Sequence, residues 1–143
     1  MPLPSGPVAS AEAVERAMFD FVDAYDQAFT SAAERHRLTA TQACVLGRLD
    51  TPWSMGALAT ELGCDASNVT QIVAKLERRG LAERRPNPAD GRSRLIARTD
   101  LGDETYAAFE TTFQFARAAT ARLTPGEREQ LTALLLKVLG TAP

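Results

Sequence analysis

Six side chains between Ser67 and Arg78 could act together on one ligand surface: Ser67, Asn68, Thr70, Gln71, Lys75 and Arg78. Residues 66–79 read as a helix, because Val69, Ile72, Val73 and Leu76 recur at i, i+3, i+4 and i+7 and form one apolar stripe. At 100° per residue, Ser67, Thr70, Gln71, Ala74, Lys75 and Arg78 fall on the opposite side. That side holds hydroxyls, an amide and cations but no acid, and the small Ala74 lets a flat surface approach it. These groups can donate to phosphate oxygens and base edges, and a glutamine amide can pair bidentately with adenine. An isolated helix with such a face could equally be a solvated one, so the flanking sequence decides.

The flanks make a motif of it. Gly80 follows the helix where a left-handed residue ends one at little cost. Residues 81–85 and 93–97 suit extended strands around the turn formers Asn87-Pro88-Ala89-Asp90-Gly91. Arg84, Arg85, Arg92 and Arg94 flank the hairpin tip. Residues 66–98 hold eight Lys or Arg against three acids, a charge of +5, whereas the whole chain is −2 and the remainder therefore −7. One cationic patch on a weakly acidic protein is the electrostatic footprint of a nucleic-acid surface. Upstream, Ser54 can cap a short helix that points Leu58 and Leu62 at the same core. Asp65 stands at the N-cap of the polar-faced helix. Backbone amides at these two helix starts suit phosphate oxygens. Helix, turn, recognition helix and hairpin make a winged helix-turn-helix.

The run from Leu58 to Gly102 resembles the signature region of the MarR family of bacterial transcription regulators. The resemblance rests on the Leu58-Ala59 opening, Ser67 and Val69-Thr70, Leu76-Glu77 before Gly80-Leu81, and Arg84. It continues in Asp90-x-Arg92 at the wing and Thr99 with Gly102 opening the next helix. Arg98 departs from the pattern, standing where the family usually has an apolar residue. The resemblance implies Arg92 as a minor-groove finger held by an ion pair to Asp90, with Arg85 and Arg94 on the DNA backbone. It also implies a homodimer on a palindromic operator, acting as a repressor that a small aromatic or lipophilic effector releases. The residues that would bind such an effector are unknown from sequence, with Tyr25, His36, Arg48 and Trp53 as weak candidates.

Four further helices must accompany this motif. Residues 11–33 repeat Val14, Met18, Phe21, Tyr25, Ala28 and Ala32 in steps of four and three, with Ser10 as a candidate cap. Thr39 and Gln42 form a capping box that opens a second helix with Leu38, Val45, Leu46 and Leu49 on one face. The box is followed by a stop before Pro52 and by Trp53 as a packing anchor toward the wing. Thr99 caps a helix expected to run unbroken to about residue 122. Thr124-Pro125-Gly126-Glu127 then starts a last one bearing Leu131, Leu134, Leu135, Val138 and Leu139. The expected fold is therefore mainly α with a small β-hairpin wing. Residues 1–10 make a loose leader, 38–98 the winged core, and 11–37 with 99–143 a helical dimerisation region, all in one structural domain. The terminal helices are too elongated to bury their stripes on the core alone, which points to a second copy.

Composition excludes much else. One histidine, His36, reads as a helix-end residue, and there is no Gly-rich phosphate loop. No catalytic residue, metal or cofactor is expected, so the chain does not read as an enzyme. Cys44 and Cys64 lack zinc-site spacing. Cys44 reads as small and buried, and Cys64 as the more exposed. A thiol-based redox sensor using either is an alternative reading, as is a winged-helix protein-interaction module, although docking a protein would need neither the acid-free face nor the arginine-rich wing. No apolar run approaches the ~18 residues of a membrane span, and residues 1–10 carry no apolar signal region. The expected location is the cytoplasm.

Overall fold

The computed structural model describes residues 12–141. The chain divides into two compact units, one ending at Phe113 and the other beginning at Gln114. The first contains α1 (Ala13–Arg35), α2 (Ala40–Arg48), β1 (Trp53–Ser54), α3 (Met55–Leu62), α4 (Ala66–Arg78), β2 (Ala82–Asn87), β3 (Asp90–Arg98) and α5 (Asp100–Thr112). The second contains α6 (Phe115–Thr120) and α7 (Pro125–Val138). It is a mainly helical fold with a small antiparallel sheet, as the sequence implies. The leader, including the Ser10 cap, lies outside the described residues.

The core of the first unit is where α2, α3 and α4 converge. Val45, Leu46, Leu58, Val69, Val73, Leu76 and Ile96 are essentially inaccessible, joined by Leu38, Leu49 and Leu81. The apolar stripe of α4 supplies three of them, which fixes its polar side outward. Local devices start several of the helices. The Thr39 hydroxyl accepts from the Gln42 amide at 3.1 Å, and the Gln42 side chain accepts from the Thr39 amide at 3.0 Å. Ser54 accepts from the Ala57 N–H at 3.2 Å. Asp65 occupies the N-cap position of α4, as the sequence implies, without a capping hydrogen bond from its carboxylate.

The sheet has strand order β1–β3–β2. Trp53 pairs with Ile96, so the half-buried indole leans on the inner wing strand and the core beneath it. Both wing strands are longer than expected. Ala82 pairs with Arg98 at the base and Asn87 with Asp90 at the tip, with an irregularity at Pro86/Asn87. The expected five-residue loop shrinks to a two-residue turn at Pro88 and Ala89. Asn87 explains this, since its Oδ1 accepts from the Ala89 N–H and its Nδ2 donates to Ser93 Oγ across the hairpin.

The wing is anchored to α5 by a tight junction. The Thr99 hydroxyl accepts from the Gly102 N–H at 3.0 Å and donates to the Gly80 carbonyl, while the Thr99 N–H donates to the Leu81 carbonyl at 3.2 Å. A Cβ on Gly102 would collide with that Leu81 oxygen, so this approach requires glycine. Gly80, at φ 71°, ends α4 in the left-handed conformation and turns the chain into β2.

The long helix expected after the wing breaks. It ends at Thr112, and Phe113 leaves the helical region with ψ 87° before α6 begins. The paired threonines Thr111 and Thr112 precede the break, and both hydroxyls bond the carbonyls four residues back. β-Branching and that competition weaken helical continuation, and no apolar residue in the next two turns is buried. Phe109 and Phe113 instead close an aromatic cluster with Phe29, whose ring centroid lies 5.0 and 5.2 Å from theirs.

Candidate nucleic-acid interface

The outer face of α4 is open. Ser67, Asn68, Thr70, Gln71, Lys75 and Arg78 are all exposed, while Val69, Val73 and Leu76 on the reverse are buried. Thr70 donates its hydroxyl proton to the Ala66 carbonyl at 2.7 Å, so its oxygen remains an acceptor. Among the described residues, the side chains of Ser67, Asn68, Gln71, Lys75, Arg78, Arg92 and Arg94 make no hydrogen bond or ion pair. Their donors are not already engaged, which lowers the cost of meeting a ligand.

The arginines of the patch divide into free and committed. Arg84 binds Glu77 at 3.0 Å and so pins β2 to α4. Arg85 binds Glu83 at 2.6 Å and donates to the Arg98 carbonyl at 3.2 Å, which holds it along the hairpin base. Arg98 turns inward. Its Nη1 donates to the Leu46 carbonyl at 3.3 Å, and its guanidinium lies 4.9 Å from the centre of the Tyr106 ring. Its Nε stands 2.8 Å from an Asp103 oxygen, but the N–H has no aligned acceptor, so that contact is an ion pair rather than a hydrogen bond. By sequence Arg98 is one cation of the patch, a departure from the family pattern, and a residue of little expected weight in DNA binding. Its location at the foot of a strand facing α2 and α5 makes it a clamp instead.

At the tip, the expected Asp90–Arg92 ion pair is replaced by a backbone contact. The Asp90 carboxylate accepts from the Arg92 amide at 3.0 Å, because the short turn brings that N–H within reach. Asp90 thus sets the backbone beneath the arginine while the guanidinium stays free. The wing tip and the polar face of α4 are the two parts of the +5 segment left open to a partner.

Comparison with known proteins places this geometry. A family model described as the MarR family matches residues 36–93, the segment that carries both α4 and the wing tip. An uncharacterised HTH-type transcriptional regulator, YkoM of Bacillus subtilis, is 34% identical over 137 residues, covering 88% of each chain. The chain belongs to the MarR family. It is a transcription regulator and not an enzyme. The crystal structure of wild-type MarR from E. coli in its apo form matches over 91% of this chain and 99% of that one, at 25% identity and a TM-score of 0.74. MepR of S. aureus, solved as a DNA complex, shares the fold at 23% identity with a TM-score of 0.73, over 92% of this chain and 99% of that one.

The remaining candidates of this MarR-family chain have structural partners. His36 caps α1 and contacts Thr112 at 2.7 Å, Arg48 binds Glu61 at 3.2 Å, and Tyr25 packs edge-on against Phe113 at 5.2 Å. The two cysteines reverse their expected roles. Cys44 is exposed on the outer side of α2, whereas Cys64 is half-buried, its thiol turned toward the Leu62 carbonyl. Partial burial nonetheless raises the Cys44 thiol pKa, against the lowering effect of Arg48. Among the described residues no cluster could hold a metal ion, and no helix is long and apolar enough to cross a membrane.

Proposed function

We propose that this regulator recognises DNA by sequence, as a cytoplasmic homodimer on a palindromic operator, and that it represses until a small aromatic or lipophilic effector releases it. The observation that carries the reading is the acid-free, unengaged face of α4 beside a hairpin whose Arg92 and Arg94 are free. Gln71 is assigned to an adenine edge, with Ser67, Asn68, Thr70, Lys75 and Arg78 on neighbouring bases and phosphates. Arg92 is assigned to the minor groove, with Asp90 fixing its backbone. Arg94 is assigned to phosphate, and Arg85 takes the same role only by giving up its bond to Glu83. The solved MepR–DNA complex supports DNA as the partner of this fold.

Dimerisation is supported by apolar surface left open. Val14, Met18, Phe21, Val22 and Tyr25 on α1 are 41–60% exposed, and Leu134, Leu135, Leu136 and Val138 on α7, with Leu139 at its C-cap, are 39–71% exposed. Patches of this kind mark interfaces rather than free surface. Two copies related by a two-fold axis would set their recognition helices about 34 Å apart, one turn of duplex. Selection of bound sites from random duplex DNA tests the whole reading. A palindrome with half-sites about ten base pairs apart is expected, and enrichment of nothing, or of an asymmetric site, overturns it. Sedimentation showing a stable folded monomer at micromolar concentration would remove the dimer.

A further inference from the structure

Arg79 belongs to the cationic patch by sequence, yet its guanidinium, though exposed, is already engaged by the chain itself. It caps the C-terminal end of α4, donating through Nη1 to the Arg37 carbonyl at 2.5 Å and through Nη2 to the His36 carbonyl at 3.4 Å. Those carbonyls lie at the C-terminal end of α1, where unpaired C=O groups and the helix dipole concentrate negative potential. His36 is the cap of α1, and Arg37, at φ 56°, makes the left-handed turn that redirects the chain toward α2. The same corner reaches α5. The Thr112 hydroxyl lies 3.0 Å from the Ala108 carbonyl and 2.7 Å from His36 Nε2. One guanidinium therefore ties the end of the recognition helix to the point where α1, α2 and α5 meet.

We propose that Arg79 is a positioning residue for operator recognition: it fixes α4 against α1, and so sets the separation of the two recognition helices, without touching DNA. The proposal rests on the operator-binding dimer described above. A cation on the recognition helix would ordinarily be taken for a phosphate contact, and the two roles leave different signatures. A phosphate contact adds about 0.9 to the slope of log affinity against log salt, roughly 1.8 for two subunits. A spacer adds nothing to that slope but makes affinity depend on the distance between half-sites.

The test uses the full chain as wild type, Arg79→Gln, Arg79→Lys and Lys75→Gln. Each is titrated with the selected operator and with versions carrying one base pair more or fewer between half-sites. Arg79→Gln is expected to shrink the preference for the optimal spacing by about tenfold, within the roughly 5- to 150-fold span of typical coupling between sites. Its salt slope should match wild type, whereas that of Lys75→Gln falls. Arg79→Lys should keep most of the spacing preference, since an ammonium can still reach one carbonyl. An unchanged spacing preference in Arg79→Gln, or a slope reduced as far as in Lys75→Gln, overturns the proposal. If wild type selects no site, the operator reading fails, and Arg79 is judged on the free protein. There, amide exchange in the last turn of α1 should rise in Arg79→Gln and not in Arg79→Lys, and equal exchange in all three rejects the clamp.

Discussion

Replacing Arg92 and Arg98 with alanine, separately, should produce opposite phenotypes from the same chemical deletion. Arg92 is exposed, its guanidinium is unengaged and only its backbone is held, so the folded protein loses almost nothing when it is cut back. A base or groove contact by an arginine contributes about 1–3 kcal/mol. On the proposed two-fold operator two copies would be lost, so affinity should fall by more than tenfold while stability stays within about 0.5 kcal/mol. Arg98 is the reverse. Its side chain is 14% exposed and donates to the Leu46 carbonyl, a charge-assisted bond of about 1.5–3 kcal/mol. The Tyr106 ring beneath it adds about 0.5–1 kcal/mol. The Asp103 partner is 59% exposed, so that ion pair adds at most about 1 kcal/mol and falls with salt. Arg98→Ala should therefore destabilise by about 2–4 kcal/mol and leave the operator affinity of the folded fraction within about threefold of wild type. Urea unfolding and fluorescence anisotropy on the selected operator measure the two axes. Comparable losses of affinity in both variants, measured where both are folded, would refute the division of the arginines into free and committed.

Gly102→Ala should destabilise by about 2 kcal/mol or more, because the new methyl meets backbone at Leu81 and overpacking outweighs the roughly 1 kcal/mol gained in helix propensity. Gly56→Ala, with open space around its Cβ in the first turn of α3, should be neutral or stabilising in the same thermal melt, and equal effects at both glycines would show the junction to be slack. Cys44 should alkylate slowly near neutrality despite its exposure, because burial holds its pKa above 9.0 and only the thiolate reacts. The sign for stability follows: the unfolded chain releases this proton first, so the contribution is intact below pH 9.0 and is lost as pH rises past it. Iodoacetamide labelling across pH checks this, and labelling at neutral pH faster than a free thiol would revive the redox-sensor alternative.

Periodicity and capping made most of the fold legible. The stripe of α4 and the boxes at Thr39 and Thr124 are local, and each decides its own few residues without reference to the rest of the chain. What escaped were features set by distant neighbours. The break at Phe113 depends on an aromatic cluster with Phe29, some eighty positions earlier, and the partners that hold Arg98 lie on α2 and α5, far from it in sequence. The tip was misjudged for a smaller reason. Asn87 was counted as one more turn former, whereas its side chain staples the hairpin and shortens the loop. The exposure of the two cysteines is reversed because Cys64 packs against the core, whereas Cys44 on α2 does not.

The outermost strand of the wing, β2, carries an unpaired edge, and such edges invite a second chain to add on and start an aggregate. Pro86 removes one donor from that edge, the irregularity beside it bends the ladder, and Glu83, Arg84 and Arg85 line it with charge. These features disfavour pairing of the exposed edge with the edge of another hairpin.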